Sequence, residues 1–118
     1  MGVRLAAGSA GIKYKDRTDV LMAVLAPGTQ IAGVLTRSKT SSAPVDWCKA
    51  QLSTGSGRVL VVNSGNANAF TGRAGMDAVR HVAESASAAV GCRPQEVFVA
   101  STGVIGEPLP YAKITKIL

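Results

Sequence analysis

The segment Arg58-Val59-Leu60-Val61-Val62 constrains this chain more than any other, because its continuous branched apolar residues read as a buried strand. It runs straight into Asn63-Ser64-Gly65-Asn66-Ala67-Asn68, where no hydrophobic residue is larger than alanine. The same arrangement recurs at Val97-Phe98-Val99-Ala100, which leads into Ser101-Thr102-Gly103-Val104-Ile105-Gly106. Between them the spacing predicts a helix from about Gly75 to Val90. Its apolar stripe falls on Met76, Val79, Ala83, Ala86 and Val90, and Gly91 is a natural stop. A strand, a helix and a second strand in this order suit a right-handed parallel crossover.

Upstream, Val20-Leu21-Met22-Ala23-Val24-Leu25 reads as a strand closed by Pro27-Gly28. Gln30-Ile31-Ala32-Gly33-Val34-Leu35 reads as a second strand, so an antiparallel hairpin is expected there. Pro44 opens a predicted helix through about Leu52, with Ser41 and Ser42 as candidate N-caps. The alternation of elements predicts an α/β layered architecture, with the parallel crossover and an αββα sandwich both open. No repeat or linker divides the 118 residues, which are enough for one domain and too few for two. The chain stops at Ile114-Thr115-Lys116-Ile117-Leu118, one turn into an apolar-periodic segment, so residues 1–118 are expected to be a single partial domain.

Composition excludes several classes. Hydrophobic residues make up 47% of the chain, as in a globular domain, yet aromatics are only 4%, so the core must be built from Val, Ile, Leu and Ala. Thirteen Lys and Arg against seven Asp and Glu give a formal charge of +6. Such a balance suits acidic partners. The cations are dispersed, however, and the few aromatics supply no base-stacking platform, so no nucleic-acid partner is expected. No stretch approaches the roughly 20 apolar residues of a membrane span, and Met1-Gly2-Val3-Arg4 opens no signal peptide. No membrane partner follows. Cys48 and Cys92 lack metal-ligand spacing and stand far apart beside a single His81, so neither a metal site nor a disulfide scaffold is expected, and the setting is taken as reducing and cytoplasmic.

Any chemistry belongs to the two loops, because a rigid strand fixes the backbone that follows it. NSGNANAFTG offers donors and acceptors without an acid or base, and an ordinary Asn/Gly turn would use the same residues. Thr102-Gly103 can aim a hydroxyl and a backbone N–H at one point, which suits the oxyanion of a tetrahedral intermediate, although an anion-binding turn has the same composition. A Ser–His pair would need His81, which falls mid-helix. Asp16, Asp19 and Asp46, near Arg17 and Lys49, read as solvated ion pairs.

The stretches GVRLAAGSAGIKYKDRTDVLMAVL, AGVLTRSKTSSAPVDWCK, VLVVNSGNANAFTG and VASTGVIGEPLP together resemble the N-terminal part of the ornithine acetyltransferase (glutamate N-acetyltransferase) family of arginine biosynthesis. They follow the family's order and cover almost all of the chain. The resemblance implies an αββα sandwich that cleaves itself before an internal threonine. The freed N-terminal Thr of the β chain is then the nucleophile, with its own α-amino group as base. Acetyl would pass from N-acetylornithine, or in some members from acetyl-CoA, through acetyl-Thr to glutamate, with no metal or bound cofactor, in an α2β2 heterotetramer. Carried onto this sequence, Thr102 and Gly103 match the oxyanion-hole pair, and Asn63, Ser64 and Asn66 belong to the loop shaping the neighbouring pocket. None of Thr18, Thr29, Thr36, Thr40, Thr54, Thr71, Thr102 or Thr115 sits in a matching cleavage context, so the nucleophile is expected outside this chain, and the chain alone is expected to be inactive. A self-processing aminopeptidase-type hydrolase of the same fold and a non-catalytic remnant are the competing readings.

Overall fold

Four strands form one sheet in the order β1-β2-β3-β4 in the computed structural model, which describes residues 2–118. They are β1 (Val3–Gly8), β2 (Val20–Leu25), β3 (Val59–Asn63) and β4 (Val97–Ser101). Strand β2 pairs antiparallel with both β1 and β3, and β4 is parallel to β3. Three helices, α1 (Ala43–Gln51), α2 (Gly72–Val90) and α3 (Tyr111–Thr115), complete the fold. Short 3-10 turns follow α1 at Leu52–Thr54 and precede β4 at Pro94–Glu96.

The core lies between the helices and one face of the sheet. Val59 and Val61 of β3 and Val97 and Val99 of β4 are buried against Val79, Val82, Ala83 and Ala86 of α2. Val79, Ala83 and Ala86 from the predicted stripe are buried there, and Met76 and Val90 pack at its ends. Ala78, Ala83 and Ala86 are buried in the same cluster, so this face of the helix is built from small side chains. Helix α2 ends where Gly91 turns left-handed and donates its N–H to the Ser87 carbonyl at 2.8 Å.

As the outermost strand, β4 would expose a row of unpaired backbone groups. Helix α1 supplies their partners. Trp47 Nε1 donates to the Val97 carbonyl at 2.8 Å, while Cys48 Sγ donates to the Val99 carbonyl at 3.2 Å and accepts from the Val99 N–H at 3.4 Å. Two side chains thus do for β4 what a fifth strand would do. Burial pushes the Cys48 thiol up from its ordinary range, so it stays a protonated donor.

Two expectations are corrected. The segment at 30–35 is not a strand, and the hairpin is made by β1 and β2 instead. Both edges of β2 are already taken, by β1 from Val3↔Leu25 to Gly8↔Val20 and by β3 from Val20↔Asn63 to Val24↔Val59. Residues 30–35 keep one isolated bridge, Gln30↔Ser56, and Val34 is 97% exposed. Helix α2 also begins at Gly72, three residues before the expected Gly75.

That earlier start depends on Asn68, which is fully buried with a left-handed φ of 50°. Its amide donates to the Gly75 carbonyl at 3.1 Å and its Oδ1 accepts from the Thr71 hydroxyl at 2.8 Å. A Cβ on Gly75 would collide with Thr71 Oγ1 and lie 2.8 Å from Asn68 Oδ1. Gly→Ala inside a helix ordinarily stabilises by about 0.5–1 kcal/mol. Here Gly75→Ala is expected to destabilise by about 1–3 kcal/mol, read as a lowered thermal unfolding midpoint. An unchanged or raised midpoint would show that the Asn68–Thr71 contact does not hold the helix start.

Candidate active site

The parallel pairing of β3 and β4 ends at Asn63↔Ser101, but the hydrogen bonds continue into the loops beyond. Thr102 N donates to the Asn63 carbonyl at 3.1 Å, Val104 N to Gly65 O at 3.4 Å, Ala67 N to Val104 O at 2.9 Å and Gly106 N to Ala69 O at 2.8 Å. The two loops are zipped together as a distorted extension of the sheet. Gly103 sits inside the zip with φ of 133°, and a Cβ there would stand 2.5 Å from Asn66 N and run into the Gly65 backbone. Only glycine fits.

The asparagines brace this arrangement from beneath. Asn63 is 4% exposed; its Oδ1 accepts from the Ser101 hydroxyl at 2.5 Å and its Nδ2 donates to the Asn66 carbonyl at 3.0 Å. Asn66 is 3% exposed and donates to the Glu107 and Pro108 carbonyls at 3.0 and 3.3 Å, while its Oδ1 accepts from the Asn68 N–H at 2.7 Å. Neither reaches open space. Of the three residues assigned from sequence to the pocket, only Ser64 lines it; Asn63 and Asn66 shape it from the interior.

Above the zipped loops lies an open cleft of about 410 Å³. Ser64, Gly65, Thr102, Gly103 and Val104 form one wall. The other wall is the β1–β2 connection, contributing Lys13, Tyr14, Arg17 and Asp19. Among the described residues, neither the Thr102 hydroxyl nor the Gly103 N–H has a hydrogen-bond partner, although the backbone groups around them do. Two unspent donors on a fixed backbone at a cleft wall are what an oxyanion requires.

Sequence reasoning missed the second wall. Asp19 is not a solvated ion pair: it is 7% exposed, and its two carboxylate oxygens accept from the Ala10 and Ile12 N–H groups at 2.6 and 2.8 Å. Its carbonyl also accepts from Ser64 N at 2.9 Å, so one residue ties the β1–β2 connection to the strand-end loop. Asp46 accepts from the Ser41 hydroxyl at 2.5 Å. The ion pairs among the described residues are Lys13–Glu107, Arg80–Asp77 and Arg93–Glu96, and none involves Asp16, Asp19 or Asp46. An aspartate just before an apolar strand was the available signal, but it does not say which amides the carboxylate will find.

The remaining candidates lie elsewhere. His81 is exposed on α2 and stacks on Tyr111 of α3 with ring centroids 4.6 Å apart. Burial, with Glu96 adding to it, pushes the Cys92 thiol up. Among the described residues no three His, Cys, Asp or Glu side chains converge as a metal site, and no helix is long and apolar enough to cross a membrane.

The mixed sheet with its zipped strand-end loops is an arrangement found in known proteins. Solved structures are close to it. The ornithine acetyltransferase of Mycobacterium tuberculosis, determined with ornithine, superposes with a TM-score of 0.93 at 39% identity, over 98% of this chain and 63% of that one. The arginine biosynthesis bifunctional protein ArgJ of Bacillus halodurans gives 0.89 at 32%, over 98% and 60%. The ArgJ family model matches residues 4–118, and the chain belongs to the ArgJ family. Relatives called arginine biosynthesis bifunctional protein ArgJ are 59% identical in Bradyrhizobium diazoefficiens and 58% in Agrobacterium fabrum, each over 99% of this chain. The chain spans 28% of the length of these curated relatives.

Asp19→Asn replaces one of the two acceptors with a donor that faces a backbone N–H. It is expected to cost about 1–3 kcal/mol of stability. The backbone of residues 9–18 should become more susceptible to limited proteolysis, and equal stability and an unaltered cleavage pattern would show that the carboxylate does not clamp this wall.

Proposed function

We propose that this chain forms the oxyanion-stabilising part of a glutamate N-acetyltransferase (ornithine acetyltransferase) of arginine biosynthesis. The observation that carries the proposal is the pair of unengaged donors, the Thr102 hydroxyl and the Gly103 N–H, at the cleft between the zipped loops and the β1–β2 connection. Acetyl moves from N-acetylornithine, or from acetyl-CoA as an alternative donor, to a threonine nucleophile and then to glutamate. In each half, the carbonyl oxygen becomes negative as the carbon turns tetrahedral, and Thr102 and Gly103 donate to it.

The nucleophile belongs to a β chain released by self-cleavage before its threonine, whose own amino group takes the proton. This chain alone then binds without turning over. Relative lengths support the division, because this chain covers 63% of the solved Mycobacterium chain but only 28% of the Bradyrhizobium relative. A solved chain so much shorter fits a precursor cut in two. We place the assembly in the cytoplasm as an α2β2 heterotetramer, acting without a metal or bound cofactor.

In the full-length protein, Thr102→Ala is expected to lower acetyl transfer from N-acetylornithine to glutamate by roughly 100-fold or more. Self-cleavage should slow as well, because it passes through an oxyanion of the same kind. Both rates unchanged would sink the assignment. Release of acetate to water with no transfer to glutamate would instead favour a hydrolase of the same fold.

A further inference from the structure

We propose that residues 32–36 are a strand without a partner inside this chain, and that they take one from the β chain by backbone pairing. The choice of occupant rests on the two-chain reading of the enzyme. The pairing edge itself rests on the geometry of the segment.

Local signal and observed structure disagree at this point. Gln30-Ile31-Ala32-Gly33-Val34-Leu35 carries a strand pattern, yet residues 31–38 form no element, and β2 has no edge left for them. The backbone is nonetheless kept ready for pairing. It makes no turn between Ile31 and Ser38, and no residue there has a positive φ. Ile31 N donates to the Gly55 carbonyl at 2.8 Å. The next five N–H groups and their carbonyls, from Ala32 to Thr36, have no hydrogen-bond partner among the described residues.

A run of unmet donors and acceptors is a template for another strand. Exposed edges are ordinarily blunted with charge or proline. Residues 32–36 carry neither, and Arg37 and Lys39 stand only beyond their end. Val34 is 97% exposed, and a Cβ on Gly33 would meet nothing within 4 Å, so a second backbone has room to approach.

Placement selects the occupant. The segment starts at the end of the sheet away from the cleft, where Ile31 and Phe98 both border Gly57. It finishes beside the strand-end loops, where the Ala43 N–H meets the Asn68 carbonyl. A strand laid along it runs toward the loops that carry Thr102 and Gly103, which is where a nucleophile from the β chain has to arrive. Chain for this purpose exists, because the residues described span only 28% of the length of the curated relatives. A second copy of this chain is a poorer occupant. Arg37 and Lys39 form no ion pair among the described residues, and each added copy brings a further formal charge of +6.

The test uses the full-length, self-cleaved protein. Amide hydrogen exchange at alternate positions within residues 32–36 should be slowed about 100-fold or more relative to an unstructured peptide of the same sequence. A photo-reactive side chain placed at Val34 should join this chain to the β chain, seen as one band of summed mass on a denaturing gel. Val34→Asp would be harmless on a solvated surface, but here it should raise the dissociation constant between the two chains about tenfold or more. Free exchange at all five amides would overturn the proposal, as would a cross-link that joins two copies of this chain or falls within the α chain. An adduct with the β chain in a protein that transfers no acetyl would overturn only the acetyl-transfer reading. Protected amides in a protein that never cleaves itself would overturn the two-chain reading and its β chain as occupant, with the pairing edge left in place.

Discussion

The parallel ladder between β3 and β4, carried past the ends of both strands, is the constraint on which the site depends. Strand pairing normally ends where the chains diverge toward their next elements. Here four backbone hydrogen bonds from Thr102 N to Gly106 N keep residues 63–69 and 102–106 side by side. The buried amides of Asn63 and Asn66 fill the places where the ladder geometry fails. Because these loops cannot move apart without breaking that ladder, the Gly103 N–H has a fixed direction before any ligand arrives. Preorganisation of this kind is where an oxyanion site derives its effect, since no reorientation is needed as charge develops.

A fixed loop needs a fixed strand beneath it, and β4 is an edge strand. Trp47 and Cys48 close that edge by meeting the backbone groups of Val97 and Val99. Helix α1 is tied in turn to the first loop, through the Ala43 N–H on the Asn68 carbonyl at 3.2 Å. The buried Asn68 then braces the start of α2 through Gly75. Loop, helix and edge strand therefore form a closed circuit of hydrogen bonds around the site. In such a circuit each buried polar group is satisfied by another, and among the described residues no buried side-chain donor or acceptor is left without a partner.

Legibility in the sequence followed the range of the interactions. Local period and punctuation were sufficient for β2, β3, β4 and the stripe of α2, because a run of branched residues or an i, i+3, i+4 pattern is written in neighbouring positions. The segment at 30–35 carries the same local signal as a strand and is not one, because strands need a free partner edge and β2 has none left. Conversely β1, with exposed residues along most of its length, has no alternating pattern to announce it. The loops at 63–68 and 101–106 were legible as a place for chemistry, though the roles within them were not. Nothing in the order of residues separates Ser64, which lines the cleft, from Asn63 and Asn66, whose amides are spent inside. The second wall was hidden for the same reason: Asp19 finds its partners seven and nine residues back along a chain that must first fold over.

The two walls of the cleft differ in the kind of donor each supplies. The strand-end wall offers one neutral hydroxyl, of Thr102, and one backbone N–H, of Gly103, groups whose strength as donors depends on fixed aim more than on charge. The cations Lys13 and Arg17 instead stand across the cleft on the β1–β2 connection. Asp19 makes this separation structural. Its carboxylate meets backbone amides instead of Lys13 or Arg17, so the wall is clamped by hydrogen bonds while its positive charge stays available to the cleft.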